Sequence, residues 1–159
     1  MKAQVYIETS MVSYLTARPS RDVVAAAHQQ ISLDWWDRRR RDFNLVASLL
    51  VVNEARLGHP EAAERRLKVL DGIPLLEVTD TAQRLAVTIV KEGLLPQEAY
   101  PDALHIATAA VHEVDYLLTW NCKHIANAEI LPRIAPICER FGLTLPYICT
   151  PEELLGEAQ

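Results

Sequence analysis

Residues 100–121 read YPDALHIATAAVHEVDYLLTWN, and this stretch decides the architecture. Pro101 suits the first turn of a helix, where its missing N–H leaves no hydrogen bond unmade. The residues from 100 to 114 then read as a helix led by Asp102. Tyr116, Leu117 and Leu118 follow as the apolar run of a buried strand, predicted over 115–120. That run turns abruptly polar at Thr119 and Asn121, with Cys122, Lys123 and His124 directly behind. A helix feeding straight into a buried strand is half of a βαβ unit. The polar end of the strand is either an ordinary strand-to-helix turn or one wall of an active site.

Working outward, the same alternation recurs. Residues 3–7 (AQVYI) form a first strand and 10–17 a short helix closed by Arg18-Pro19, followed by a longer helix over about 21–40. Residues 44–50 make a second strand that feeds a short helix stopped at Gly58 and Pro60. A helix over 60–72 ends at Gly72, a third strand covers 73–78, and a helix over 80–93 is capped by Asp80 or Thr81. Beyond the fourth strand, a helix from about 127 to 141 is interrupted by Pro132 and Pro136. A fifth strand covers 145–150. Strands separated by helices, with no Asn-Gly hairpin signal, require crossover connections. The expected fold class is therefore α/β, with a parallel sheet of four to five strands between helical layers. The expected division is one domain over 1–150 and a short tail over 151–159.

Composition narrows the function. At 159 residues the chain fits one domain, half of it is hydrophobic, and 23% is charged. No apolar run approaches the roughly 18 residues of a membrane span, so no membrane association is expected. The opening MKAQVYIETS does not read as a signal peptide. Cys122, Cys138 and Cys149 are odd in number and form no CxxC pair, which suggests reduced thiols in a cytoplasm and no structural zinc. The formal net charge of -5 argues against a protein that coats nucleic acid through bulk charge. It leaves room for a nuclease, whose acidic metal site adds negative charge of its own.

In a parallel sheet, ligands sit at the carboxyl ends of the strands. Glu8, Thr9 and Ser10 follow the first strand, Asn53 and Glu54 follow the second, and Thr119 and Asn121 follow the fourth, with Asp102 opening the helix before it. Three carboxylates in one cleft repel one another unless a cation offsets their charge. A hard divalent ion such as Mg²⁺, held by carboxylates and waters, removes that conflict and promotes phosphodiester hydrolysis. Thr9, Ser10 and Thr119 are placed to hydrogen-bond those carboxylates or a water. Taken singly, two of the three acids have an ordinary explanation, and Glu8 is harder to dismiss. Asp102 favours a helix dipole, and Glu54 suits a surface helix. Glu8, ending an apolar strand, faces desolvation without a partner.

A family resemblance enters at these same residues. VYIETSMVSYL is similar to the opening of PIN-domain proteins, SLLVVNEARLG to their second-strand segment, and PDALHIATAAVHEVDYLLTWN to their late block. The resemblance covers nearly the whole chain and is nearest to VapC-type toxins of type II toxin–antitoxin pairs. It implies an α/β/α sandwich, a Mg²⁺- or Mn²⁺-dependent endoribonuclease acting on RNA, and a protein antitoxin as partner. Glu8 takes the place of the family's first Asp, and Glu54 and Asp102 match as they stand. Asn121 falls where a fourth acid is usual, so it keeps an oxygen ligand but no charge. One ion held well and a second held poorly is the consequence. The rival expectation is a PIN-fold protein that no longer cleaves and binds RNA or a protein partner as a regulator.

Other residues carry weaker expectations. Arg18, His105, Lys123 and His124 are candidate RNA contacts; His105 reads more often as a satisfied, partly buried histidine. Cys122 as a nucleophile lacks a supporting His–Asp arrangement. DWWDRRRRDF (34–43) combines stacking and phosphate-binding residues, or else packs its tryptophans and pairs its arginines with Asp34, Asp37 and Asp42. The apolar faces of the early helices are candidates for homodimer contact or for an antitoxin segment.

Overall fold

A computed structural model describes residues 1–156. Five strands form one parallel sheet in the order β3-β2-β1-β4-β5: β1 (Gln4–Ile7), β2 (Asn44–Ser48), β3 (Leu75–Leu76), β4 (Tyr116–Leu118) and β5 (Tyr147–Cys149). Central β1 pairs Tyr6 with Val46 on one side and with Leu117 on the other. Val5, Tyr6 and Ile7 are all fully buried, as a strand covered on both faces demands.

Among the described residues, seven α-helices connect the strands: α1 (Thr9–Thr16), α2 (Val23–Arg38), α3 (Leu49–Ala55), α4 (Pro60–Leu70), α5 (Asp80–Lys91), α6 (Tyr100–Val111) and α7 (Leu131–Arg140). The chain runs outward from β1 to β3, then crosses back over β1 to β4 and β5. Right-handed crossovers then place α1–α4 on one face and α5–α7 on the other. Helix contacts sort the same way, α1 against α2, α3 and α4, and α5 against α6 and α7. This is the expected three-layer α/β/α sandwich, with all five strands present. The reversal of direction falls between β1 and β4, the position where open α/β sheets bind ligands.

Some boundaries differ from the sequence reading. The cap of α5 is Thr79, whose hydroxyl accepts from Ala82 N at 3.1 Å, not Asp80 or Thr81. The helix expected from about 127 starts at Leu131, because Asn121 and Asn127 bend the chain first. Their side-chain oxygens accept from His124 N at 3.0 Å and Glu129 N at 2.9 Å. α7 runs through Pro136 without ending, and Pro132 sits in its first turn, where a missing N–H is harmless. Leu154 and Leu155, in the expected tail, pack against the core. Its last three residues, 157–159, lie outside the described residues.

The arginine-rich segment lies before β2, at the amino edge of the sheet and away from the strand ends that carry the acids. Trp35 is fully buried and stacks on Phe43, while half-buried Trp36 lies under the Arg40 guanidinium at 4.9 Å. Arg39 pairs with Asp42 at 2.8 Å. Asp34 instead accepts from Gln30.

Candidate active site

Glu8, Ser48 and Thr119 meet where β1, β2 and β4 end. Glu8 extends the ladder by one residue, its N–H donating to Leu118 O at 3.1 Å. Its side chain then folds back as the N-cap of α1, with Oε2 accepting from Ser10 N at 3.0 Å. Oε1 accepts from the Ser10 and Thr119 hydroxyls, both at 2.5 Å. Those hydroxyls are held in turn by N–H groups of Trp120 (2.8 Å) and Asn121 (2.9 Å). Glu8 is only 5% exposed, and these donors replace the water it has lost.

Glu54 reaches the same place from α3, whose N-cap is Ser48. Thr9 Oγ1 donates to Glu54 Oε1 at 2.7 Å, and His105 Nε2 lies 2.6 Å from the same oxygen. His105 comes from α6, which is buried over Ala103–Ala110. Its Nδ1 is 2.8 Å from the Tyr6 hydroxyl, which is 2.7 Å from Ser48 Oγ. A chain of hydrogen bonds therefore runs from the cap of α3 through β1 and α6 back to the α3 carboxylate.

The electrostatics follow this chain. Burial opposes the charge on Glu54, but the bond from His105, the His105 charge and the Thr9 bond together bring its carboxyl below the ordinary value. Burial likewise opposes a charged His105, but the Glu54 bond and the fields of Glu8, Glu54 and Asp102 raise its pKa. In the protonated ring both nitrogens donate, Nε2 to Glu54 and Nδ1 to Tyr6. Burial pushes the Tyr6 hydroxyl far up, so it stays a neutral link.

Glu8, Glu54 and His105 each place one ligand atom within 4.8 Å of the others. Asp102 lies outside that group. One turn before His105 on α6, it accepts at Oδ2 from His124 Nδ1, 3.0 Å away. One pattern unites the three carboxylates. Each has one oxygen anchored by side-chain donors: Glu8 Oε1, Glu54 Oε1 and Asp102 Oδ2. Among the described residues, Glu54 Oε2 and Asp102 Oδ1 accept no hydrogen bond, and Glu8 Oε2 accepts only one. Oriented carboxylates with spare oxygens suit a hard divalent cation. The donor set therefore fits a hard divalent cation, with His105 hydrogen-bonded to Glu54 through Nε2.

Asn121 stands beside the group, but its Oδ1 accepts from His124 N at 3.0 Å and forms the turn after β4. Arg18 and Lys123 are exposed, and His124 is half-buried against Asp102. His105 does not fit the expected RNA contact. With 1% exposure it faces the interior, because α6 is buried all round. Burial also raises the Cys122 thiol pKa, which disfavours a thiolate nucleophile. The sequence reading missed Tyr6 and Ser48. Their only signal was a hydroxyl within the apolar run of each of two strands.

No protein-family model matches the chain, and no curated protein matches it. Solved structures do. The structure of VapBC2 from Rickettsia felis, bound to a DNA fragment from its promoter, contains a chain matched with a TM-score of 0.59 at 13% identity, over 92% of this chain and 98% of that one. VapC20 of Mycobacterium tuberculosis, a Sarcin-Ricin loop cleaving toxin, matches with a TM-score of 0.58 at 13% identity, over 76% and 92%. A toxin–antitoxin complex from Klebsiella pneumoniae gives 0.53 at 20% identity, over 78% and 92%. At these identities the likeness is one of fold.

Proposed function

From this PIN-like fold, shared with VapC-type proteins, we propose that the protein is a divalent-metal-dependent endoribonuclease that hydrolyses RNA phosphodiester bonds, acting as the toxin of a toxin–antitoxin pair. The observation that carries the reading is the grouping of Glu8, Glu54 and His105 at the sheet's reversal point, with Asp102 one turn before His105 on α6, each carboxylate anchored through one oxygen by side-chain donors while Glu54 Oε2 and Asp102 Oδ1 accept no hydrogen bond among the described residues. A structural carboxylate needs no such arrangement. Glu8, Glu54 and Asp102 would hold the ion, and Asn121 would serve as a weak auxiliary. When bound, Mg²⁺ or Mn²⁺ activates a water and offsets the charge that develops on the phosphodiester.

The chain's own residues do the positioning. Ser10 and Thr119 fix Glu8, Thr9 and His105 fix Glu54, and His124 fixes Asp102. Arg18 and Lys123, exposed and without ion-pair partners among the described residues, are free to hold RNA phosphates. Two of the similar structures are toxin–antitoxin assemblies, which supports a protein antitoxin as partner. A homodimer and a cytoplasmic location complete the reading. Among the described residues no helix is long and apolar enough to cross a membrane.

The test is cleavage of a structured RNA pool in Mn²⁺, beside Asp102→Ala and a chelator control. Activity lost in both controls supports the reading. Absence of both cleavage and Mn²⁺ binding would refute it and leave the non-cleaving RNA- or protein-binding regulator.

A further inference from the structure

Trp120 belongs to the carboxylate site by its backbone and to α2 by its ring. Its N–H holds Ser10 Oγ, the hydroxyl that fixes Glu8. Its indole Nε1 donates to Ser32 Oγ at 2.7 Å. His28 lies flat on the indole, with ring centres 3.9 Å apart and planes 10° from parallel. Tyr14 meets both rings edge-on, at 5.5 Å and 6.1 Å. Tyr14 also stands four residues beyond Ser10 on α1, so it shares that hydroxyl's face of the helix. Trp120 is buried, whereas His28 and Tyr14 are half-buried. An aromatic stack therefore runs from the residues that hold Glu8 out to solvent.

The loop beside the stack is tethered to it. Gln29, next to His28, donates through Nε2 to Arg18 O at 2.9 Å and accepts at Oε1 from Ser20 N at 3.0 Å. This leaves Arg18 and Arg21 exposed on a pinned loop, without an ion-pair partner among the described residues. Aromatic faces flanked by guanidinium groups are the chemistry that holds single-stranded nucleic acid: bases stack on rings and cations follow the backbone.

We infer that Tyr14, His28 and Trp120 form a nucleobase-stacking shelf, on which a base near the cleaved phosphodiester lies against His28 and Tyr14 while Arg18 and Arg21 hold backbone phosphates. The inference rests on the ribonuclease reading and adds where the strand runs. Because every base has a π-face, the shelf positions RNA with little preference for sequence.

The test uses full-length Glu54→Gln protein, expected to bind without cutting. It is titrated with single-stranded oligoribonucleotides that carry one abasic residue at successive positions around the bond that the wild type cleaves. One position should cost roughly tenfold or more in affinity. In the same background His28→Ala should weaken the intact strand by a similar factor and the abasic strand hardly at all. His28→Phe, which keeps a ring, should bind as the parent does. Equal losses on intact and abasic strands would overturn the shelf, as would the absence of any position-dependent abasic penalty, a result that needs no shelf variant to fold. A wild type that neither binds nor cuts RNA in Mn²⁺ overturns the ribonuclease reading and the shelf together. Cleavage by the wild type without these effects overturns the shelf alone.

Discussion

Replacing His105 by leucine tests the coupling between the buried hydrogen-bond chain and the metal site. Leucine fills a similar volume, so the loss is of bonds more than of packing. Tyr6 loses its 2.8 Å partner and Glu54 Oε1 its 2.6 Å partner, although Ser48 and Thr9 remain on those atoms. Each group left short of a partner costs about 1–3 kcal/mol, so the metal-free variant should lose about 2–6 kcal/mol of stability. The second effect is on the ion. With Mn²⁺ at about a hundred times its Kd, the wild type should gain about 2.7 kcal/mol, because the ion binds only the folded form. Losing a residue that orients a ligand typically weakens affinity by about 10–100-fold. At the same Mn²⁺ concentration the variant should gain only about 0.4–1.4 kcal/mol. For a chain of this size that is a rise in melting temperature of about 1–6 °C, against about 5–11 °C for the wild type. Thermal denaturation of both proteins with and without Mn²⁺ reads the two effects separately. A variant that keeps the full Mn²⁺ gain would refute the orienting role of His105, and a wild type with no gain would refute the metal site.

In the absence of divalent ions, the Glu54–His105 pair should make stability fall on both sides of a mid-range optimum. Glu54, lowered from 4.5, stabilises above its unfolded value, and that contribution is lost as pH falls through its folded value. His105, raised from 6.5, stabilises below its unfolded value, and that contribution is lost as pH rises through its folded value. Urea melts across pH should show both limbs, and His105→Leu should flatten the alkaline one; an unchanged alkaline limb would rule out this assignment. Asn121→Asp should leave stability within about 0.5 kcal/mol, since aspartate also accepts from His124 N. It should nevertheless add a second Mn²⁺ in calorimetry, and unaltered stoichiometry would place Asn121 outside the site. Ser32→Ala should cost about 1–3 kcal/mol by stranding the buried Trp120 Nε1. Cys122→Ser should cleave RNA as the wild type does, and a large loss of rate would revive a thiol role.

The polar groups at the strand ends were legible because they sit where local apolar runs stop. Glu8 after AQVYI and Thr119 after DYLL are read from a few neighbouring residues. So is Asp102, through the helix-starting Pro101 before it. The burial of His105 was one of the readings its position offered, but the partners it finds were not legible. DALHIATAA places Asp102 and His105 on nearly the same helix face, and only the fold shows which partners the buried imidazole meets. Asn121 was read as a spare oxygen, whereas the turn that it caps takes that oxygen up. The aromatic stack was invisible for a different reason. Tyr14, His28 and Trp120 lie on three separate elements, and each alone is an ordinary half-apolar side chain.

The sequence by itself determined the order of strands and helices, their parallel arrangement and which acids would stand at the sheet's edge. Those features depend on periodicity, caps and crossover lengths, all of which are short-range. The tertiary structure decided which carboxylate is anchored by which donor. It brought together Tyr6 with Ser48, Glu54 with His105, Tyr6 with His105, and Glu8 with Thr119, across 42, 51, 99 and 111 residues of chain. No local pattern specifies such pairs, because a hydrogen bond depends on where two side chains arrive in space and not on how far apart they stand in sequence.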